Sequence, residues 1–198
     1  MSLQAAAFLY TVIGKDNYAE IIKNLCANRT ISLFAEQSGE TIRKQRVIEE
    51  DHGHYISRED FGESKLEAIS QSTEKLLFES VDSAKIDALI LSDYNKHLFR
   101  GEFGKKLISL ANSKKIPVIV DPKPVNIDTF YGATVICPNI HEAQQITNYN
   151  GNIRELTKRL KEKTRSECVI ITRGKEGLLI YDGSFHEIPT HAREVVDV

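Results

Sequence analysis

Six residues with the side chains for phosphate chemistry fall in three short clusters: Asp93-Tyr-Asn-Lys96, Asp121-Pro-Lys123 and Pro138-Asn-Ile-His-Glu142. Ammonium groups and backbone N–H groups meet a phosphate anion, and carboxylate or amide oxygens keep a magnesium ion beside it. Asp93, Lys96, Asp121, Lys123, Asn139 and Glu142 supply those groups. Each also has a plainer reading. Asp93 and Asp121 suit turns that end strands. Asn139 and Glu142 have capping-box spacing, with Asn139 as N-cap and Glu142 at N3. Three coincident clusters carry more weight than any one.

Two further segments bear on the same chemistry. Thr172-Arg-Gly-Lys-Glu-Gly177 can turn backbone amides toward phosphate oxygens, and is equally an ordinary glycine turn. In Arg43-Lys-Gln-Arg46, period-two alternation puts Lys44 and Arg46 on one face of a strand, with Arg58 on the next strand. Those cations could grip a substrate phosphate or merely blunt an exposed sheet edge. His52-Gly-His54 has no third metal ligand nearby and reads as a turn; His97 and His141 gain no assignable role. No Gly-x-x-x-x-Gly-Lys-Ser/Thr loop and no Gly-x-Gly-x-x-Gly fingerprint occurs, so neither a P-loop enzyme nor an ordinary dehydrogenase is supported.

The elements that must position these residues alternate between strand and helix. Apolar runs over 86–92, 116–120 and 133–137 lead directly into the three clusters, as strands buried on both faces of a parallel sheet would. Ligands of such sheets bind beyond the carboxyl ends of the strands. Helices are expected over 17–27, 64–80, 101–113, from near Asn139, and over 153–163. A last buried strand covers 167–172, and a hairpin over 177–188 turns at Asp182-Gly183. A strand is expected over 5–13. The stretches 30–34, 41–48 and 54–58 are short, polar and partly alternating, and predict a small antiparallel sheet with one wet face.

The 198 residues suffice for one domain, or one with a small appendage. A net charge of -2 gives no general attraction to nucleic acid or anionic membrane. No apolar run nears the roughly 20 residues that span a bilayer, and the start lacks a secretory signal. Cys26, Cys137 and Cys168 form neither a disulfide framework nor a zinc knuckle. A cytoplasmic protein is expected.

The order Leu-Ser-Asp-Tyr-x-Lys, Val-Asp-Pro-Lys, Pro-Asn-x-x-Glu and Thr-Arg-Gly-x-x-Gly resembles the ribokinase-like (PfkB) sugar kinases from about Gly14 to Val198. Within them it looks most like the heptose 7-phosphate kinase branch of lipopolysaccharide-core precursor synthesis in Gram-negative bacteria. Thr41 to Asp60 resembles that branch's substrate lid. The resemblance implies an α/β fold: a doubly wound, mainly parallel sheet with flanking helices plus a small antiparallel lid sheet. An incomplete kinase domain would fill 1–198, with lid strands at about 30–60 and an α/β core over 1–29 and 61–198. The implied cofactors are ATP and magnesium. Asn139 and Glu142 would serve the metal, directly or through water. Thr172, Arg173, Gly174 and Gly177 would border the nucleotide phosphates. Lys44, Arg46 and Arg58 would take the sugar phosphate, and Asp93, Lys96, Asp121 and Lys123 would line the cleft floor. The implied partners are the sugar phosphate and a second copy bound through the lid.

Two features of the family pattern have no counterpart here: a sugar-binding Gly-Gly segment upstream, and a Thr-Gly-Ala-Gly-Asp run, with the catalytic base, beyond Val195-Val-Asp-Val198. The expectation is a fragment lacking its base, short by about 10²–10⁴-fold in rate for that loss alone. A kinase of another sugar or nucleoside, or a non-catalytic binding or dimerisation module, are the rival readings.

Overall fold

The computed structural model describes residues 5–49, 55–62, 69–83, 86–96, 98–99 and 101–190. The chain forms two compact units, Met1–Leu77 with Lys96–Leu98, and Phe78–Asn95 with Phe99–Val198.

In the first unit, β1 (Ala7–Ile13), α1 (Asn17–Ala27) and β2 (Ile31–Gln37) follow in order, and β1 pairs with β2 in parallel. Asp16 starts α1 as its N-cap, accepting the Ala19 N–H at 3.0 Å. Tyr10 lies opposite Phe34, and their rings stack with centroids 4.7 Å apart. This pairing corrects the expectation that 30–34 joins the antiparallel polar strands. The reason is topological: the α1 crossover returns the chain so that β2 runs the same way as β1. The alternation of Ile31, Leu33 and Ala35 with Ser32 and Phe34 could not distinguish the two pairings.

β3 (Arg43–Ile48) and β4 (Tyr55–Phe61) make a separate antiparallel ribbon, as expected for 41–48 and 54–58. The ribbon is clasped to the β1–α1 turn. The Thr41 hydroxyl donates to Asp16 Oδ1 at 2.7 Å and accepts from the Gly14 N–H at 2.9 Å, and the Thr41 N–H donates to Asp16 Oδ2 at 2.7 Å. A Cβ at Gly14 would collide with the Thr41 backbone nitrogen, which accounts for glycine there. α2 (Gln71–Asp82) starts under Glu36, whose carboxylate accepts the Ser70 N–H at 2.7 Å and the Thr73 hydroxyl at 3.0 Å. The helix expected over 64–80 is thus found from Gln71; 64–68 lie outside the described residues, as do His52, His54 and His97.

The second unit is a six-stranded sheet in the order β10-β9-β8-β7-β6-β5. Its elements are β5 (Leu89–Ser92), α3 (Phe103–Ser113), β6 (Val118–Asp121), a 3-10 turn (Pro124–Phe130), β7 (Val135–Ile136), α4 (Ile140–Thr147), α5 (Ile153–Thr164), β8 (Cys168–Thr172), β9 (Leu178–Tyr181) and β10 (Phe185–Ile188). β5 to β8 are mutually parallel, and β9 and β10 add antiparallel. The core is aliphatic: Leu107 and Ile108 of α3, Val118 and Val120 of β6, Ile136 of β7, Leu156 and Leu160 of α5, and Val169 and Ile171 of β8 are all essentially sealed. The strands are shorter than their apolar runs because residues such as Ile116 and Ala133 are buried at strand entries without belonging to the ladder. Among the described residues no helix is long and apolar enough to cross a membrane.

Candidate functional site

The parallel ladder sets the strand ends side by side. Ser92 of β5 is in register with Asp121 of β6, and the Asp93 N–H donates to the Asp121 carbonyl at 2.9 Å. The Cys137 N–H donates to Val120 O at 2.8 Å, the Thr172 N–H donates to Pro138 O at 3.1 Å, and Asn139 bridges to Thr172. Asp93, Asp121, Asn139 and Thr172 therefore mark the carboxyl ends of four neighbouring strands, the edge where open α/β sheets bind ligands.

The structure shows the capping-box reading of Asn139 and Glu142. Asn139 Oδ1 accepts the Glu142 N–H and Glu142 Oε2 accepts the Asn139 N–H, each at 2.9 Å, so the capping box is complete. The box uses only one oxygen of Glu142. The other, Oε1, accepts from Lys123 Nζ at 2.5 Å. That bond and the surrounding carboxylates raise the Lys123 ammonium above its ordinary value. The Asp121 carboxyl is also raised, by desolvation and then by the charges of Glu142 and Asp93. The cluster has three carboxylates and one lysine ammonium.

Asp93 is 2% exposed and fully engaged. Oδ1 accepts the Asn95 N–H at 2.7 Å; Oδ2 accepts the Lys123 N–H at 3.2 Å and Asn126 Nδ2 at 2.9 Å. It is the knot that ties the β5 end to the β6 end, which is closer to the turn-residue reading than to direct ligand contact. Asn126 and Asn95 were not among the expected site residues. No sequence signal marks Asn126; Asn95 stands in the left-handed region (φ 55°), a conformation that asparagine tolerates and only a turn reading could have suggested. Burial pushes the Cys137 thiol up to about 11, the direction that apolar surroundings give a thiol.

The 172–177 segment closes on itself. The Glu176 N–H donates to Arg173 O, the Gly177 N–H to Gly174 O and the Arg173 N–H to Gly177 O. A Cβ at Gly177 (φ 80°) would meet the Ile188 carbonyl and the Pro189–Thr190 backbone, so this glycine serves the packing of the β10 end. Gly174 (φ 57°) has open space where a Cβ would stand, and so lies beside the Thr172 strand end unobstructed. The Arg173 guanidinium reaches the Glu176 carbonyl at 3.2 Å and Glu187 at 3.7 Å.

The first unit carries the other expected residues. Lys44 lies opposite Asp60 and Arg46 opposite Arg58 across the β3–β4 ladder. Arg58 grips Asp60 on the same strand face through two bonds of 2.8 Å. This holds the Asp60 carboxyl below its ordinary value, with smaller help from Lys44 and Lys96. Lys96 thus belongs with the ribbon's cations, and Asp93 lies in the other unit. The opposite ribbon face holds Arg43, whose guanidinium lies 4.3 Å from the Tyr18 ring centroid and 4.5 Å from that of Phe61. His141 is exposed on the first turn of α4.

Among the described residues no three His, Cys, Asp or Glu side chains come close enough to enclose a metal ion. The donor set suits magnesium held by one carboxylate, water and substrate phosphate, the usual habit of that ion at phosphate sites. Asn139 spends its amide oxygen on the cap, and Glu142 divides its oxygens between the cap and Lys123.

A mixed sheet with flanking helices, a small antiparallel ribbon and charged strand ends define a ribokinase-like α/β protein. The chain belongs to the pfkB family of carbohydrate kinases, whose model matches residues 2–198. It is 32% identical over 197 residues to the bifunctional protein HldE of Aliarcobacter butzleri, covering 95% of this chain and 40% of that protein. It is 34% identical over 204 residues to HldE of Hahella chejuensis, covering 100% of this chain and 42% of that protein. The chain spans about two fifths of the length of these relatives. Among solved structures, it superposes on phosphofructokinase-2 from Escherichia coli with a TM-score of 0.73 at 17% identity, over 97% of this chain and 64% of that one. Ribokinase from Giardia lamblia gives 0.71 at 14% identity, over 97% and 62%. At such identities the structures speak for the fold alone.

Proposed function

We propose that this chain is part of a cytoplasmic, ATP-dependent kinase that phosphorylates the anomeric hydroxyl of D-glycero-D-manno-heptose 7-phosphate. The observation that carries the substrate class is Arg46 facing Arg58 across the ribbon, with Lys44 on the same face. Like charges placed directly opposite each other destabilise a sheet; Asp60 relieves part of this by pairing with Arg58, and a phosphate beside Arg46 would add charge-assisted bonds. A neutral sugar offers no such return. The likeness to HldE proteins supports a heptose phosphate over other sugar phosphates.

The second unit would serve the nucleotide. Thr172 and Gly174 border the phosphates, Lys123 faces the negative charge, and Glu142 and Asn139 hold magnesium, which when bound neutralises charge on the transferring group. Arg173, tied to Glu176 and Glu187, positions this turn. Val47, Ile48 and Ile56 are exposed on the ribbon. A two-stranded ribbon is marginal alone in water, which supports a homo-oligomer formed through these strands. The test is phosphorylation by the protein in its full natural length, read as ADP release, with heptose 7-phosphate against neutral heptose, ribose and nucleosides. Preference for a neutral acceptor would overturn the assignment.

A further inference from the structure

The Glu142 carboxylate is held unequally. Oε2 is locked by the backbone N–H of Asn139, a fixed part of the α4 cap. Oε1 is held by an ammonium at the end of a four-carbon stem, 2.5 Å away. The base of that stem cannot drift, because Lys123 follows Pro122 and its N–H is bonded to the buried Asp93. The lysine side chain is 37% exposed, whereas that of Glu142 is 12% exposed. The carboxylate is therefore a fixed half-site whose second oxygen is covered by a cation that can swing away into solvent. Asp121 and Asp93 add negative charge around the same ammonium. A divalent cation arriving here finds its oxygen already occupied, and it brings the charge needed to displace the occupant.

We propose that Lys123 is a displaceable counter-ion: it covers Glu142 Oε1 while the site lacks a divalent cation, and yields that oxygen when one binds. This rests on the kinase reading above and specifies how its metal position is regulated. Its use is selective. A released ammonium, anchored at the β6 end, becomes available to an incoming phosphate only once metal has taken its place, so lysine and metal are brought to the phosphate together. Before that, competition from the lysine weakens the hold of Glu142 on free metal.

The test is manganese(II) binding, read by electron paramagnetic resonance, to the chain and to Lys123→Met and Lys123→Arg. Without nucleotide, Lys123→Met should bind the ion on the order of tenfold more tightly, since ligand charge sets such affinities, and Lys123→Arg should stay near the parent. Equal or weaker binding by Lys123→Met overturns the proposal. A second measurement uses the unaltered protein: acetylation of Lys123 Nζ, followed by mass spectrometry, should speed up several-fold on adding magnesium. An unchanged rate in protein that demonstrably binds manganese overturns the proposal and leaves the kinase reading standing. Failure of every form to bind manganese, with or without a non-hydrolysable ATP analogue, overturns both.

Discussion

The β3–β4 ribbon and the strand ends of the six-stranded sheet carry similar charged residues, held in opposite ways. At the strand ends the charges satisfy one another. Asp93 accepts three hydrogen bonds, and Glu142 divides its oxygens between the α4 cap and Lys123. On the ribbon Arg46 is set against Arg58, and Asp60, opposite Lys44 and bonded to Arg58, offsets part of the local positive charge. The contrast teaches that burial separates two kinds of polar site. A buried network fixes geometry and is costly to break, whereas charges on an exposed face are screened by solvent and cost little to change.

The sharpest way to break this comparison is Asp93→Ala. Three donors lose their acceptor at a position 2% exposed. At roughly 1–3 kcal/mol per orphaned buried group, and with incomplete additivity, a loss of about 3 kcal/mol is expected in urea unfolding. Arg46→Ala should stay within about 0.5 kcal/mol of the parent. Similar costs for the two would erase the distinction.

Next in size is the ligand effect of Arg46→Ala. Losing one charge-assisted bond to phosphate corresponds to roughly 1.5–3 kcal/mol, or about 10–100-fold in affinity. Calorimetry with heptose 7-phosphate should show that loss, and neutral heptose should show none. An unchanged sugar-phosphate affinity would leave the ribbon cations as edge protection.

How much of this could be read from the sequence follows the same division. The strand ends were legible because apolar runs and the residues after them stay adjacent along the chain: Asp93, Asp121, Asn139 and Thr172 all emerged at neighbouring ends. Contacts spanning long separations were not legible. Asn126 reaches Asp93 across 33 residues, and Thr41 reaches Asp16 across 25, with no periodicity to announce either. The parallel pairing of β2 was missed because alternation reports which face is wet and says nothing of strand direction. Lys96, three residues from Asp93 in sequence, went with the ribbon instead, since spatial company need not follow chain order.

A milder probe is Asn139→Ala, which removes the N-cap of α4. A cost of about 1 kcal/mol is expected. Asn139→Asp, which retains an accepting oxygen, should restore most of it. Thermal unfolding of the pair separates capping from other roles, and equal loss in both variants would mean that the cap contributes little.

The smallest effect is in pH, and its sign differs between the two regions. Asp60 is held below its ordinary value of 3.8 by Arg58. A depressed carboxyl contributes stability that is present above the unfolded value and is lost as pH falls through the lower folded value. Asp16 and Glu36 behave alike, through their backbone and side-chain hydrogen bonds to Thr41 and to Ser70 and Thr73. The ribbon and its clasp should therefore loosen on acidification below about pH 4, near the carboxylate range. Asp121 is raised above 3.8 instead, so its ionised form carries a cost at neutral pH that is relieved as pH falls through the raised value. Asp121→Asn should slightly stabilise the second unit at pH 7, and the gain should vanish near pH 3. Amide hydrogen exchange resolves the two regions: protection of β3 and β4 should fall with acid while β6 of the parent holds or gains over the interval from neutral to about pH 4. Parallel decline of both would show that the carboxylates at the strand ends and on the ribbon are not held in opposite senses.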